Sequence, residues 1–242
     1  TPYFFNFHAR DVGHSTIIGP TGAGKTVLLN FLCAQAQKFN CRIFFFDKDR
    51  GAEIFVRAIG GKYTIIEPAQ KCHFNPLQLP DTPENRTFLA DWLHALVTVH
   101  DEPFTAEDMD RITEAVVGNY KLDKKDRILR NIAPFLGLEG PGTIAGRLKM
   151  WHSDGPYAGL FDNPTDVIDF SIGSAFGFEM GEVLKERVSL EPTLLYLFHR
   201  ISLSLDGTPT VIVLDEAWAL IDNKIFAGRI RDWLKTLRKP NG

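Results

Sequence analysis

Long apolar runs are missing from this chain of 242 residues. No stretch reaches the ~20 consecutive apolar residues that a membrane-crossing helix requires. The first residues do not follow the order of a secretory leader. Cysteine is scarce, with only Cys33, Cys41 and Cys72. An odd number without a CxxC pair argues against a disulfide framework and against a zinc site, and it points to a reduced, intracellular setting. Cys72-His73 offers two ligand-type side chains, but no second pair stands at ligand spacing. A net basic charge is also missing. Against 27 Lys and Arg stand 30 Asp and Glu, a formal charge of −3, so no global field draws the chain to nucleic acid. There is no internal repeat and no low-complexity tract. What is present is an ordinary globular balance, 44 % hydrophobic and 24 % charged, which excludes disorder. The 19 phenylalanines suffice for a well-filled core.

The pattern predicts an α/β core interrupted by helices. Residues 3–7 and 15–18 read as strands, and a loop at 19–24 leads into a helix over 25–38. Residues 41–46 are apolar enough for burial on both faces of a parallel sheet. The charged run 47–50 follows, then a helix from Gly51 to Ala58, a Gly60-Gly61 stop and a strand at 63–66. Such strand-helix-strand spacing implies parallel pairing with right-handed crossovers. A Pro-rich, polar loop covers 68–83. Helices are expected at 84–99, 105–119, 124–136 and 143–150, with starts at Thr82-Pro83 and Thr105. Strands return at 166–170 and 175–178, a helix at 192–205, a strand at 210–214 and a last helix at 224–237. The expected division is a first core part over 1–80, an all-helical insertion over 81–158 and a second core part over 159–242. Both ends read as cuts in something longer.

Two constellations carry chemistry. Gly19-Pro20-Thr21-Gly22-Ala23-Gly24-Lys25-Thr26 matches GxxxxGK[ST] without deviation, between an apolar strand and an amphipathic helix. Glycines let successive N–H groups turn inward around a phosphate. The helix start adds partial positive charge. Lys25 supplies a full charge to the β- and γ-phosphates, and the Thr26 hydroxyl is suited to Mg²⁺. The apolar run 211–214 ends in Asp215-Glu216. Asp215 is the expected second holder of Mg²⁺. Glu216 is the expected general base toward water, which favours hydrolysis of ATP over transfer to a small acceptor.

These segments resemble the VirB4 family of type IV secretion ATPases. The likeness is carried by residues 13–29 around the phosphate loop, by Phe46-Asp47-Lys48-Asp49-Arg50-Gly51-Ala52-Glu53, by Phe74-Asn75-Pro76-Leu77, by Gly159-Leu160-Phe161-Asp162-Asn163 and by Asp215-Glu216-Ala217-Trp218-Ala219-Leu220. It spans nearly the whole chain. It implies a RecA-like core of the FtsK/HerA type bearing a helical subdomain, and work at the cytoplasmic face of the bacterial inner membrane. It implies pilus biogenesis and substrate transfer with other secretion components, and assembly into oligomers, often hexamers. Members of that family carry an N-terminal domain, and related motors a glutamine sensor on the strand after the Asp-Glu strand. This chain contains neither, so its core is expected to be incomplete. They also place an arginine finger after the following helix. Arg238 stands at the matching place, with Arg229 and Arg231 as weaker candidates, and a cation at a helix C-terminus is the plain alternative.

Asp47, Asp49 and Arg50 follow a central strand, where open α/β sheets bind ligands. They either orient water or reach a neighbouring subunit, or they form a solvated turn. Trp218, Trp92, Phe88 and Leu96 read as core. Arg127, Arg130, Lys121, Lys124 and Lys125 form a local basic cluster, by default a solvated helix face and otherwise a contact for a partner or DNA. Three functions follow: an oligomeric secretion ATPase, a DNA-translocating coupling protein or HerA/FtsK-like motor, and a nucleotide-gated scaffold without hydrolysis.

Overall fold

A computed structural model describes residues 5–7, 13–99, 103–215, 217 and 228. Its helices, in chain order, are α1 Lys25–Ala36, α2 Glu53–Ala58, α3 Pro83–Val97, α4 Ala106–Lys121, α5 Leu129–Ile132, α6 Ile144–Leu148, α7 Ala158–Phe161, α8 Gly181–Lys185 and α9 Arg187–Ser204. The strands are β1 Arg42–Asp47, β2 Lys62–Ile65, β3 Ala175–Glu179 and β4 Thr210–Leu214. Among the described residues they form one sheet in the order β2-β3-β1-β4, with every pairing parallel. This is the parallel α/β core that the sequence predicts.

Alternation along β1 sorts the sheet's two faces. Ile43 and Phe45 join Cys33 and Ala36 of α1 and Val56 of α2 in one apolar cluster. Phe44 and Phe46 join a larger cluster with Phe176, Phe178, Trp92, Leu96, Trp151 and Tyr196. β1 is therefore apolar on both sides because helices cover both faces. The helical stretch from α3 to α6 lays its apolar faces on that second cluster. Its starts are built as the sequence indicates. Thr82 Oγ1 accepts from the Asn85 amide at 3.2 Å, and Thr105 with Asp108 closes a reciprocal capping box.

Two asparagines tie the segment at 74–77, the helical stretch and the end of α7 together. Asn75 Nδ2 donates to the carbonyls of Arg127 and Asn163, at 2.8 and 2.7 Å. Asn163 Nδ2 donates to those of Phe74, Gly159 and Leu160, at 3.2, 3.1 and 3.1 Å. Both side chains are fully buried, so these bonds satisfy loop carbonyls that water cannot reach. The neighbouring Asp162 accepts from the amides of Arg130 and Ser153 and pairs with the Arg130 guanidinium at 2.8 Å. The Phe-Asn-Pro-Leu and Leu-Phe-Asp-Asn segments thus form one structural joint.

Several expected elements differ. Residues 15–18 are not a strand, and Ile18 is 91 % exposed: an apolar run becomes a strand only when a neighbouring backbone pairs with it. Residues 166–170 are irregular. Asp166 and Asp169 draw the amides of Ile168 and Ser171 onto their own side chains, which competes with ladder bonding. The single helix expected over 124–136 is broken into a 3₁₀ turn at Lys124–Asp126, α5 and a second 3₁₀ turn at Ala133–Leu136. Ile128 is extended, and Pro134 removes an amide from the last segment. The helix expected from 192 begins at Arg187, with Pro192 inside it. α7 was not expected. Of the strand expected over 3–7, residues 5–7 are irregular and 3–4 lie outside the described residues, as does the helix expected over 224–237 apart from residue 228.

Candidate nucleotide site

The loop 19–24 runs directly into α1. Gly22 and Gly24 both have φ of 80°, a left-handed conformation that side chains disfavour. A Cβ at either would meet no atom within 4 Å. What requires glycine there is backbone shape, and the space beside it stays open. Gly24 is the N-cap of α1 and supplies no side-chain cap, and no acidic residue lies in the first turn. The helix start therefore presents amides and positive partial charge to an anion. The Ala23 amide closes a turn onto Pro20 O at 3.2 Å. Lys25 Nζ lies across the loop, donating to the carbonyls of Gly19 and Pro20, both at 3.0 Å.

The second acidic residue comes to this loop. β4 pairs with β1, and the Asp215 amide donates to Phe46 O at 2.9 Å, which extends the pairing past the strand end. The Thr26 hydroxyl donates to Asp215 Oδ2 at 3.4 Å. A hydroxyl and a carboxylate oxygen beside a glycine-built anion cradle are the hard oxygen donors that Mg²⁺ takes, so these residues fit a magnesium-bound nucleotide. Glu216, Trp218, Arg229, Arg231 and Arg238 lie outside the described residues.

The turn after β1 packs against the same helix. The Gly51 carbonyl accepts from Asn30 Nδ2 of α1 at 3.0 Å. A Cβ on Gly51 would stand 2.7 Å from Thr26 Cγ2. Asp49 and Arg50 have φ of 60° and 57°, unusual for residues other than glycine. Two carboxylates hold the turn. Asp47 accepts from the amides of Lys48 and Ala52, at 2.9 and 2.8 Å. Glu179, opposite Asp47 in the sheet register, accepts from those of Asp49, Arg50 and Gly181, at 3.2, 2.7 and 2.9 Å. Tyr63 Oη shares its one hydrogen between Asp47 Oδ2 at 2.5 Å and Glu179 Oε2 at 3.1 Å. Burial pushes the Asp47 carboxyl above the usual range, the Tyr63 hydroxyl and Ala52 amide oppose that, and the nearby Glu179 charge adds to it. Burial, then Asp47, pushes the Tyr63 phenol far up.

Of the sequence-expected residues, Gly19 to Thr26 and Asp215 are brought together. Asp47 turns inward and is buried, whereas Arg50 stays half-exposed beside Glu53. Trp92, Phe88 and Leu96 are core, as read. Glu179, Tyr63 and Asn30 were missed. The available signal was that residues 175–178, like 41–46, form an apolar run ending in an acid.

Comparison with known proteins gives the family and the fold. The model of the family described as the TraG P-loop domain matches residues 11–136. The type IV secretion system protein virB4 of Bartonella henselae is 39 % identical over 244 residues, taking in 100 % of this chain and 31 % of that protein. The type IV secretion system protein PtlC of Bordetella pertussis is 37 % identical over 267 residues, 100 % of this chain and 32 % of that protein. The chain thus spans about a third of the length of these relatives. The solved structure of VirB4 of Thermoanaerobacter pseudethanolicus shares the fold, with a TM-score of 0.68 over 90 % of this chain and 65 % of that one at 20 % identity. This chain belongs to the TraG P-loop domain family and is homologous along its whole length to VirB4 and PtlC proteins of type IV secretion.

Proposed function

We propose that this chain is the ATP-hydrolysing part of an oligomeric type IV secretion motor, acting at the inner face of the bacterial inner membrane. The observation that carries the reading is the meeting of Thr26 and Asp215, 3.4 Å apart beside the phosphate loop. The loop amides and Lys25 would bind the triphosphate. Thr26 and Asp215 would hold Mg²⁺, which when bound neutralises charge on the β- and γ-phosphates. Glu216 is assigned the proton of the attacking water. Arg238 is assigned the developing charge on the γ-phosphate of a neighbouring subunit. Residues 1–80 and 159–242 would form the RecA-like core and 81–158 the helical insertion. No helix among the described residues is long and apolar enough to cross a membrane.

The test is ATP turnover by the complete protein and by Lys25→Ala, Glu216→Gln and Arg238→Ala. Turnover lost in all three, and rising steeply with protein concentration, supports the motor. Turnover that survives Glu216→Gln removes that residue as the base. Binding without turnover in the unaltered protein replaces the motor with a nucleotide-gated scaffold.

A further inference from the structure

The turn at 48–51 is an expensive way to follow a strand. Two successive non-glycine residues take left-handed angles, at a cost of about 1 kcal/mol or more each. Two acids are buried side by side beneath them, with Asp47 1 % and Glu179 8 % exposed. The return is a turn in which the amides of Lys48, Asp49, Arg50 and Ala52 all end on those carboxylates. The turn's one glycine is the residue that faces the nucleotide site. Gly51 leaves the methyl of Thr26 only the room that a missing Cβ frees, since a Cβ there would stand 2.7 Å from it, and the Gly51 carbonyl is tied to α1 through Asn30. Thr26 has three groups on Cβ, so whatever holds its methyl also fixes the direction of its hydroxyl.

We propose that Glu179 is a positioning residue of the nucleotide site: together with Tyr63 and Asp47 it fixes the turn at 48–51, and through Gly51 that turn fixes the Thr26 hydroxyl beside Asp215. This rests on the reading of Thr26 and Asp215 as holders of Mg²⁺. Glu179 touches neither nucleotide nor metal in this role. Groups that orient a metal ligand typically change metal affinity by about 10- to 100-fold when removed. The turn therefore acts on metal-dependent binding and leaves direct phosphate binding by the loop alone.

The experiment measures binding of a fluorescent ATP analogue to the complete protein, in Mg²⁺ and in EDTA. Gly51→Ala and Glu179→Gln are each expected to weaken binding about tenfold in Mg²⁺ and to leave it unchanged in EDTA. Gly51→Ala should add little in a Thr26→Ala background, because both changes act through one hydroxyl. Should Glu179→Gln fail to fold by circular dichroism, Tyr63→Phe takes its place, with the same pattern expected. Unchanged binding in Mg²⁺, equal losses with and without Mg²⁺, or full additivity with Thr26→Ala each overturns the proposal. If the unaltered protein ignores Mg²⁺, or if Lys25→Ala binds normally, the nucleotide-site reading itself has failed. Normal responses to Lys25→Ala and Mg²⁺ with silent Gly51 and Glu179 variants remove the positioning role alone.

Discussion

Tyr63 lies across Gly177. The two residues are register partners on β2 and β3, and a Cβ on Gly177 would stand 2.4 Å from Cδ2 of the Tyr63 ring. The ring uses this gap to pass over β3 and bring its hydroxyl to Asp47 on β1. A glycine inside a strand usually weakens it, and one that admits another group at close range has a reason to be there. Gly177→Ala is expected to lower stability by about 1–3 kcal/mol, the usual range for overpacking. A urea titration should show a lower midpoint with an unchanged slope. A loss under about 0.5 kcal/mol would mean that the ring yields easily and that the crossing is not rigid.

Asn163 offers a separate test of the joint between the segment at 74–77 and α7. Its side-chain amide serves the carbonyls of Phe74, Gly159 and Leu160. Asn163→Ala removes a buried donor from the Phe74 and Leu160 carbonyls, while Gly159 O keeps the Cys72 amide, at a cost of about 1–3 kcal/mol. Chemical denaturation should show the loss, while Asn131→Ala, at a more exposed amide, should change the midpoint by less than about 0.5 kcal/mol.

At the nucleotide site, binding and chemistry should separate. Lys25→Ala removes the charge aimed at the phosphates, and nucleotide affinity should fall in both Mg²⁺ and EDTA. Asp215→Asn should lower affinity in Mg²⁺ only. Glu216→Gln should retain Mg-nucleotide binding and lose about 100-fold or more in turnover, the usual worth of a positioned base. Paired binding and phosphate-release measurements distinguish these outcomes. Metal-independent loss in Asp215→Asn would contradict the role given to that residue.

High pH should destabilise the fold. Burial pushes the Cys33 thiol up to about 12 and the Cys72 thiol up to about 11, and it raises the Tyr63 and Tyr196 phenols as well. Each group binds its proton more tightly folded than unfolded, where a thiol titrates near ~8.5 and a phenol near ~10. Their contribution is therefore complete below about pH 8 and drains away as pH rises through 9 toward 12. Urea midpoints measured from pH 7 to 11 should decline above pH 9, and less steeply in Cys33→Ala. The thiols should resist alkylation at neutral pH and react fully in denaturant. Rapid labelling of Cys33 in the native state would contradict its burial.

The local features were plain in the chain. GxxxxGK[ST] lies within eight residues, and within it Gly22 and Gly24 adopt left-handed angles. β1 and β4 were readable as unbroken apolar runs, and Thr82 and Thr105 as caps. Pattern reading failed where polar groups redirected the backbone, as at Asp166 and Asp169, and where extended Ile128 divided one apparent helix. It also failed at Glu179 and Tyr63, whose importance comes from their neighbours in the sheet.

From sequence alone came the anion cradle, its lysine, the parallel α/β class and two acids at a strand end, because each rests on backbone preferences and side-chain periods acting over a few residues. Tertiary structure decided which distant groups meet. Thr26 reaches Asp215 across 189 positions, and Tyr63 reaches Asp47 only because β3 lies between their strands and carries glycine at the crossing. Such meetings depend on strand order and on which polar groups lose water together, and no short window of residues contains either.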